Sequence, residues 1–124
     1  MSNCDVCISG PDFDGQPEFL HCEIRHARKP HTCCECGKEI KPSEQYEHVR
    51  GKWDGDMFTF DTCAPCYEIR DVFSCGEGYI FGELWCSMED YAFERLTTAS
   101  PCFVELSPPA KAFLLERWRV WKGL

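Results

Sequence analysis

The sequence predicts a small α+β domain held together by metal, and three observations point there. Two Cys-x2-Cys pairs, Cys33/Cys36 and Cys63/Cys66, stand twenty-six residues apart. Between them lie two strand-like runs on either side of Asp54-Gly55, a strong hairpin-turn dipeptide. Beyond the second pair, apolar residues recur at helical spacing. The chain has 124 residues, 44% hydrophobic and 27% charged, which suits one packed domain and excludes a disordered chain.

Cys4-Asp5-Val6-Cys7, followed by Ser9-Gly10-Pro11, reads as a short knuckle entering a loop. Residues 17–28 read as a strand, with Leu20, Cys22, Ile24 and His26 on one face and Phe19, His21, Glu23 and Arg25 on the other. Residues 45–52 and 57–62 form the next two strands. Thr62 stands at an N-cap position, and Pro65 opens a helix running to about Phe73. After the glycine-rich break 76–82, residues 83–96 show helical spacing through Leu84, Met88, Tyr91, Ala92 and Leu96. Residues 97–101 read as a linker. Ser107-Pro108-Pro109 then starts a final helix, 108–122, with Ala110, Phe113, Leu114, Trp118 and Trp121 on one stripe and Gly123 past its end. The division expected is a zinc-binding unit over residues 1–96, and a linker with an amphipathic helix over 97–124 that packs on it or on a partner.

Eleven cysteines are too many for packing alone. The count is odd, several lie in Cys-x2-Cys pairs, and the first residues have neither a basic n-region nor an apolar h-region. Metal ligation is therefore expected rather than disulfides, with a cytoplasmic location. Zinc takes four ligands, with sulfur at ~2.3 Å, and two intervening residues let one tight turn present both sulfurs. Cys33, Cys36, Cys63 and Cys66 are thus the predicted ligands of one Zn²⁺. Gly37 follows the second ligand where the backbone must turn, and Cys63/Cys66 fall at a helix N-terminus that favours thiolate charge. Knuckle, hairpin, then helix carrying the second pair is the treble-clef arrangement. A second zinc is expected at Cys4-x2-Cys7. Cys4-x2-Cys7-x14-Cys22-x3-His26 would fill four positions by itself. Cys22 and Cys86 also read as buried small hydrophobes, Cys34 as a packing residue turned from the metal, and Cys102 as a free thiol.

The residues Ala27-Arg28-Lys29-Pro30-His31-Thr32-Cys33-Cys34-Glu35-Cys36-Gly37-Lys38-Glu39-Ile40, Gly51-Lys52-Trp53-Asp54-Gly55, Thr62-Cys63-Ala64-Pro65-Cys66 and Phe81-Gly82-Glu83-Leu84-Trp85 carry a resemblance. Residues 4–90 resemble a set of small, mostly uncharacterised bacteriophage and prophage proteins with a treble-clef, LIM-like zinc finger. The resemblance implies the fold and a bacterial host cytoplasm, and no shared reaction. It also implies that Cys75 returns toward Cys4 and Cys7; the residues leave the fourth ligand of that second site open among Cys22, His26 and Cys86.

Charge narrows the function. Residues 1–21 carry -4, 22–52 carry +2, 53–106 carry -9 and 107–124 carry +3, for a net -8. Such a surface repels phosphate and disfavours nucleic acid. The basic run around Arg25, Arg28, Lys29, Lys38, Arg50 and Lys52 is expected to pair with Glu23, Glu35, Glu44 and Glu47, the alternative being a nucleic-acid-binding face over 25–52. No apolar run approaches the ~18 residues of a membrane span. A closed four-cysteine site has no open position at which to activate water, His31 and His48 read as strand or surface residues, and Trp53 reads as cover for the hairpin tip. A zinc deaminase would need proline where Thr62 precedes Cys63, and positions 58–62 lack the histidine of an HNH nuclease. No enzyme is expected. The reading is a protein that binds a host or phage protein, an acidic inhibitor of a nucleic-acid-processing or defence complex. Phe113, Trp118 and Trp121 are its candidate docking or dimerisation residues.

Overall fold

The computed structural model describes residues 19–74 and 82–123. Their elements are β1 (Phe19–His26), β2 (His31–Thr32), β3 (Glu39–Ile40), β4 (Gln45–Trp53), β5 (Asp56–Cys63), α1 (Ala64–Phe73), α2 (Leu84–Ser87), a π-helical turn (Met88–Ala92), α3 (Pro101–Val104) and α4 (Pro108–Lys122). The class is α+β, as the sequence predicts.

Strands β1, β4 and β5 form an antiparallel sheet in the order β1-β4-β5, and β2 pairs with β3 in a separate two-stranded sheet. Asp54 and Gly55 both adopt positive φ, the conformation a tight β4–β5 turn requires. The register places Cys22 opposite Val49 and Val49 opposite Phe60, so the alternating apolar positions share one face. Trp53 folds back over this face: a Cβ added to Gly51 would lie 2.2 Å from its ring carbons. Phe58 and Phe60 meet the same ring edge-on, with centroids at 6.0 and 5.9 Å.

Helix α1 packs against β4 through a buried ion pair. Arg70 is 1% exposed and its Nη2 donates to Glu47 Oε1 at 2.6 Å. The cap of α1 is Cys63 rather than Thr62. Thr62 is instead fully buried, with its Oγ1 3.4 Å from Cys34 Sγ.

Of the helix predicted over 83–96, residues 84–92 are helical, as α2 followed by the π turn, and 93–96 are a turn and its exit. Leu84, Met88 and Ala92 are buried at a spacing of four, wider than the 3.6 of an α-helix, so an underwound turn keeps them on one side, while Leu96 is buried beyond the end of that turn. Tyr91, placed on that stripe by the sequence, is exposed. The linker expected at 97–101 is a turn in which Thr97 N–H donates to Ser100 Oγ at 3.0 Å, and it leads into α3. Cys102 lies buried there beside Phe103.

Helix α4 has the predicted bounds, with Pro in its first turn and Gly123 closing it at φ 81. Ala110 and Leu114 are fully buried, while Phe113 and Trp118 pack at the margin of the same core. Trp118 Nε1 donates to Phe93 O at 3.1 Å, and Trp121 lies 5.5 Å from the Phe93 ring while remaining 40% exposed. One core thus runs from Cys33 and Ile40 through Ile69 and Phe73 to Met88, Phe103 and Leu114. Among the described residues, no helix is long and apolar enough to cross a membrane.

Candidate metal centre

Strands β2 and β3 exist to present a turn. Cys33 N–H donates to Lys38 O at 2.9 Å, and Gly37 N–H returns to Cys33 O at 3.0 Å. Gly37 adopts φ 76, which a side chain would strain. This knuckle projects Cys33 and Cys36 toward the end of β5, where Cys63 caps α1 and Cys66 lies in its first turn. Pro65, beside them, fixes the backbone in a helical φ at a position that needs no N–H donor.

The four sulfurs lie within 4.8 Å of one another, and Cys36 Sγ and Cys63 Sγ are 3.8 Å apart. A tetrahedron with metal–sulfur bonds of ~2.3 Å has edges of ~3.8 Å, so the donor set fits one zinc ion. Cys33 and Cys66 are buried. The amides of Glu35 and Cys63 each approach Cys33 Sγ at 3.4 Å, supplying N–H donors to a thiolate.

Protons on these sulfurs compete. Hydrogen bonds from Cys36, Cys63 and Cys66 hold Cys33 far below the usual thiol range. The same contacts, with burial added, push Cys63 and Cys66 well above it. Cys36 is pulled down as well, to about 7, so the buried cluster favours thiolate at Cys33 and Cys36 at the expense of Cys63 and Cys66. A divalent cation among them would remove that preference and take all four thiolates as ligands.

Cys34 stands apart, its thiol pushed up to about 11 chiefly by burial. Among the described residues, Cys33, Cys36, Cys63 and Cys66 are the one metal-ligating group brought together. Of the proposed second site, Cys4, Cys7 and Cys75 lie outside the described residues, while Cys22 and His26 on β1 and Cys86 on α2 are exposed. Neither protein-family models, nor curated proteins, nor solved structures offer a match to this chain.

Two carboxylates next to the centre join it to the helical half. Glu35, two residues after Cys33, accepts from the amides of Gly82 at 3.0 Å and Leu84 at 2.9 Å. Glu68, two residues after Cys66, accepts from both the amide and the hydroxyl of Ser107. Periodicity does not reveal either contact. The repeated Cys-x-Glu is the only local trace of them. His31 and His48 converge on Asp61, His48 Nδ1 at 2.7 Å and His31 Nδ1 at 3.4 Å, with the His31 ring stacked on Tyr46.

Among the described residues, the expected pairing of the basic run with nearby carboxylates holds only for Arg25 with Glu23, at 2.8 Å. Glu35 caps α2, Glu44 accepts from Lys41 N–H at 2.8 Å, and Glu47 faces Arg70. Lys38 sits 4.8 Å above the Phe113 ring.

Proposed function

We propose that this protein is a non-catalytic treble-clef zinc finger of phage or prophage origin that binds a host or phage protein and inhibits a nucleic-acid-processing or defence complex. Four sulfurs fill the tetrahedron around a zinc ion and leave no position for a reacting water. Bound zinc supplies folding energy here, by clamping the knuckle to α1. The phage assignment rests on the resemblance of residues 4–90.

The observation that carries the binding role is an acidic face on the helical half. Glu83, Glu89, Asp90 and Glu94 are all exposed on and around α2 and the π turn. Among the described residues, none of the four forms an ion pair. Water displaced by its neighbours raises the pKa of the exposed Cys86 thiol, and Glu83, Glu89 and Asp90 are close enough to raise it further. Such a surface suits a basic site that otherwise receives nucleic acid.

The test is affinity capture from a nuclease-treated bacterial lysate, using zinc-loaded protein and an E89K/D90K variant. The expected result is one stoichiometric protein, lost with the charge reversal. Recovery of nucleic acid alone, or equal capture by the variant, refutes the reading.

A further inference from the structure

Beyond His26 the chain turns through residues 27–30 before β2. This turn is pinned: Ala27 N–H donates to Glu44 O at 2.8 Å, Ser43 N–H donates to Ala27 O at 2.7 Å, and Ala27 is buried. Against β1 and β4 it encloses an open groove of about 950 Å³, lined by Arg25, His26, Arg28, Lys29, Ser43 and Tyr46 among others.

The groove's charge is not neutralised from within. Glu23 also lines it, but its carboxylate is engaged by Arg25 at 2.8 Å. Arg28 and Lys29 form no ion pair among the described residues. The carboxylates that follow them in sequence are turned to other partners: Glu35 to the start of α2, Glu44 to Lys41 N–H and Glu47 to Arg70. Two permanent cations thus stand side by side on a rigid turn, open to a ligand.

We propose that this groove binds a short acidic peptide segment of a partner protein, with Arg28 and Lys29 taking its carboxylates. A polynucleotide fits less well, for three reasons. Tight nucleic-acid binding needs a long run of phosphate contacts, whereas the unpaired cations here are two. The chain as a whole carries -8, so a long polyanion is repelled beyond the groove. Of the rings lining the groove, Tyr46 is 3% exposed and already stacked by His31 at 4.8 Å, so among the described residues no Phe, Tyr or Trp offers an open face to a base there. A peptide of a few acidic residues needs only the local charge. The inference is independent of the acidic-face reading, because groove and face lie on different halves of the fold.

The experiment measures fluorescence anisotropy of a fluorescein-labelled hexaglutamate peptide with zinc-loaded, full-length protein in low salt. Saturable binding is expected, weakened about tenfold or more by R28E/K29E and unchanged by K111E/K122E on α4. E89K/D90K retains the peptide even where it loses the captured protein, so the two readings fail separately. Metal content and thermal midpoint equal to wild type show that R28E/K29E is folded. Absence of binding, equal binding by R28E/K29E, or tighter binding of a twelve-nucleotide oligo-dT overturns the proposal.

Discussion

The Glu68 carboxylate on α1 accepts two hydrogen bonds from Ser107, the amide at 2.6 Å and the hydroxyl at 2.7 Å. Ser107 is the N-cap of α4, yet its own hydroxyl does not cap that helix. An acid from the metal half instead receives both Ser107 donors, fixing the residue at which the helix starts and placing negative charge near the positive end of the helix dipole. Glu35 does the same for α2 through Leu84 N–H.

Replacing Glu68 with alanine leaves the half-buried Ser107 amide without its acceptor, and should cost about 1–3 kcal/mol. Ser107→Ala removes one of the two bonds and should cost less. Urea unfolding followed by tryptophan fluorescence checks both, since Trp118 and Trp121 lie on the helix so anchored. Equal stability of wild type and Glu68→Ala would show that α4 docks by apolar packing alone.

The sulfur cluster makes a sharper prediction. Cys33→Ser or Cys63→Ser should lower bound metal by one equivalent and unfold the domain, because structural zinc contributes ~10–16 kcal/mol against a domain stability of ~5–15 kcal/mol. Cys34→Ser should keep the metal, its sulfur facing Thr62 rather than the centre. Native mass spectrometry with near-UV circular dichroism reads both outcomes. A chelator that strips the metal and leaves the near-UV spectrum intact would refute the structural role.

What the sequence made legible was local. Helix α4 follows from Ser107-Pro108-Pro109 and Gly123, because proline and glycine act within a residue or two of where they stand. The hairpin follows from Asp54-Gly55, and the metal centre from cysteine spacing, since each turn presents two ligands at once. What stayed hidden depends on distant parts of the chain. Glu35 and Glu68 reach amides 39 to 49 residues away, which no window of sequence contains. Pairing acids with their sequence neighbours failed at Glu47, because its side chain lies on the sheet face that α1 covers. The π turn was missed because a spacing of four fits a helical stripe almost as well as 3.6 does.

The Arg70–Glu47 pair is such a long-range contact, and it is enclosed, Arg70 being 1% exposed and Glu47 8%. Removing one partner deprives the other of its shortest ion pair away from water, although Arg70 keeps a longer contact to Asp71 at 3.4 Å. Glu47→Gln or Arg70→Met should each destabilise by about 3–5 kcal/mol, while the double replacement should recover part of that loss. A double-mutant cycle in urea measures the coupling, and additive losses would show that the two side chains act independently.

Gly51 tests the cover of the hairpin. A methyl group there would meet Trp53 ring carbons at 2.2 Å, so Gly51→Ala must displace the indole. Overpacking of this kind costs about 1–3 kcal/mol. The near-UV signal of Trp53 should weaken, and Trp53→Leu in the same background should restore part of the stability by clearing the ring.

Cys86 reports on the acidic face through its own titration. Its pKa is raised, first by loss of water around the sulfur and then by the negative charges of Glu83, Glu89 and Asp90. The thiolate is the reactive form, so at a fixed pH near 8 Cys86 should alkylate more slowly than a free cysteine, and the rate should climb to a plateau at higher pH than usual. Neutralising the neighbours by E89Q/D90N removes a repulsion felt only by the thiolate. The pKa then falls and the rate at pH 8 rises, whereas added salt screens the charges and narrows the gap between variant and wild type. Mass-spectrometric timing of iodoacetamide labelling at Cys86, from pH 7 to 10, resolves the shift. Identical profiles for wild type and E89Q/D90N would mean that these carboxylates do not act together on the Cys86 thiol.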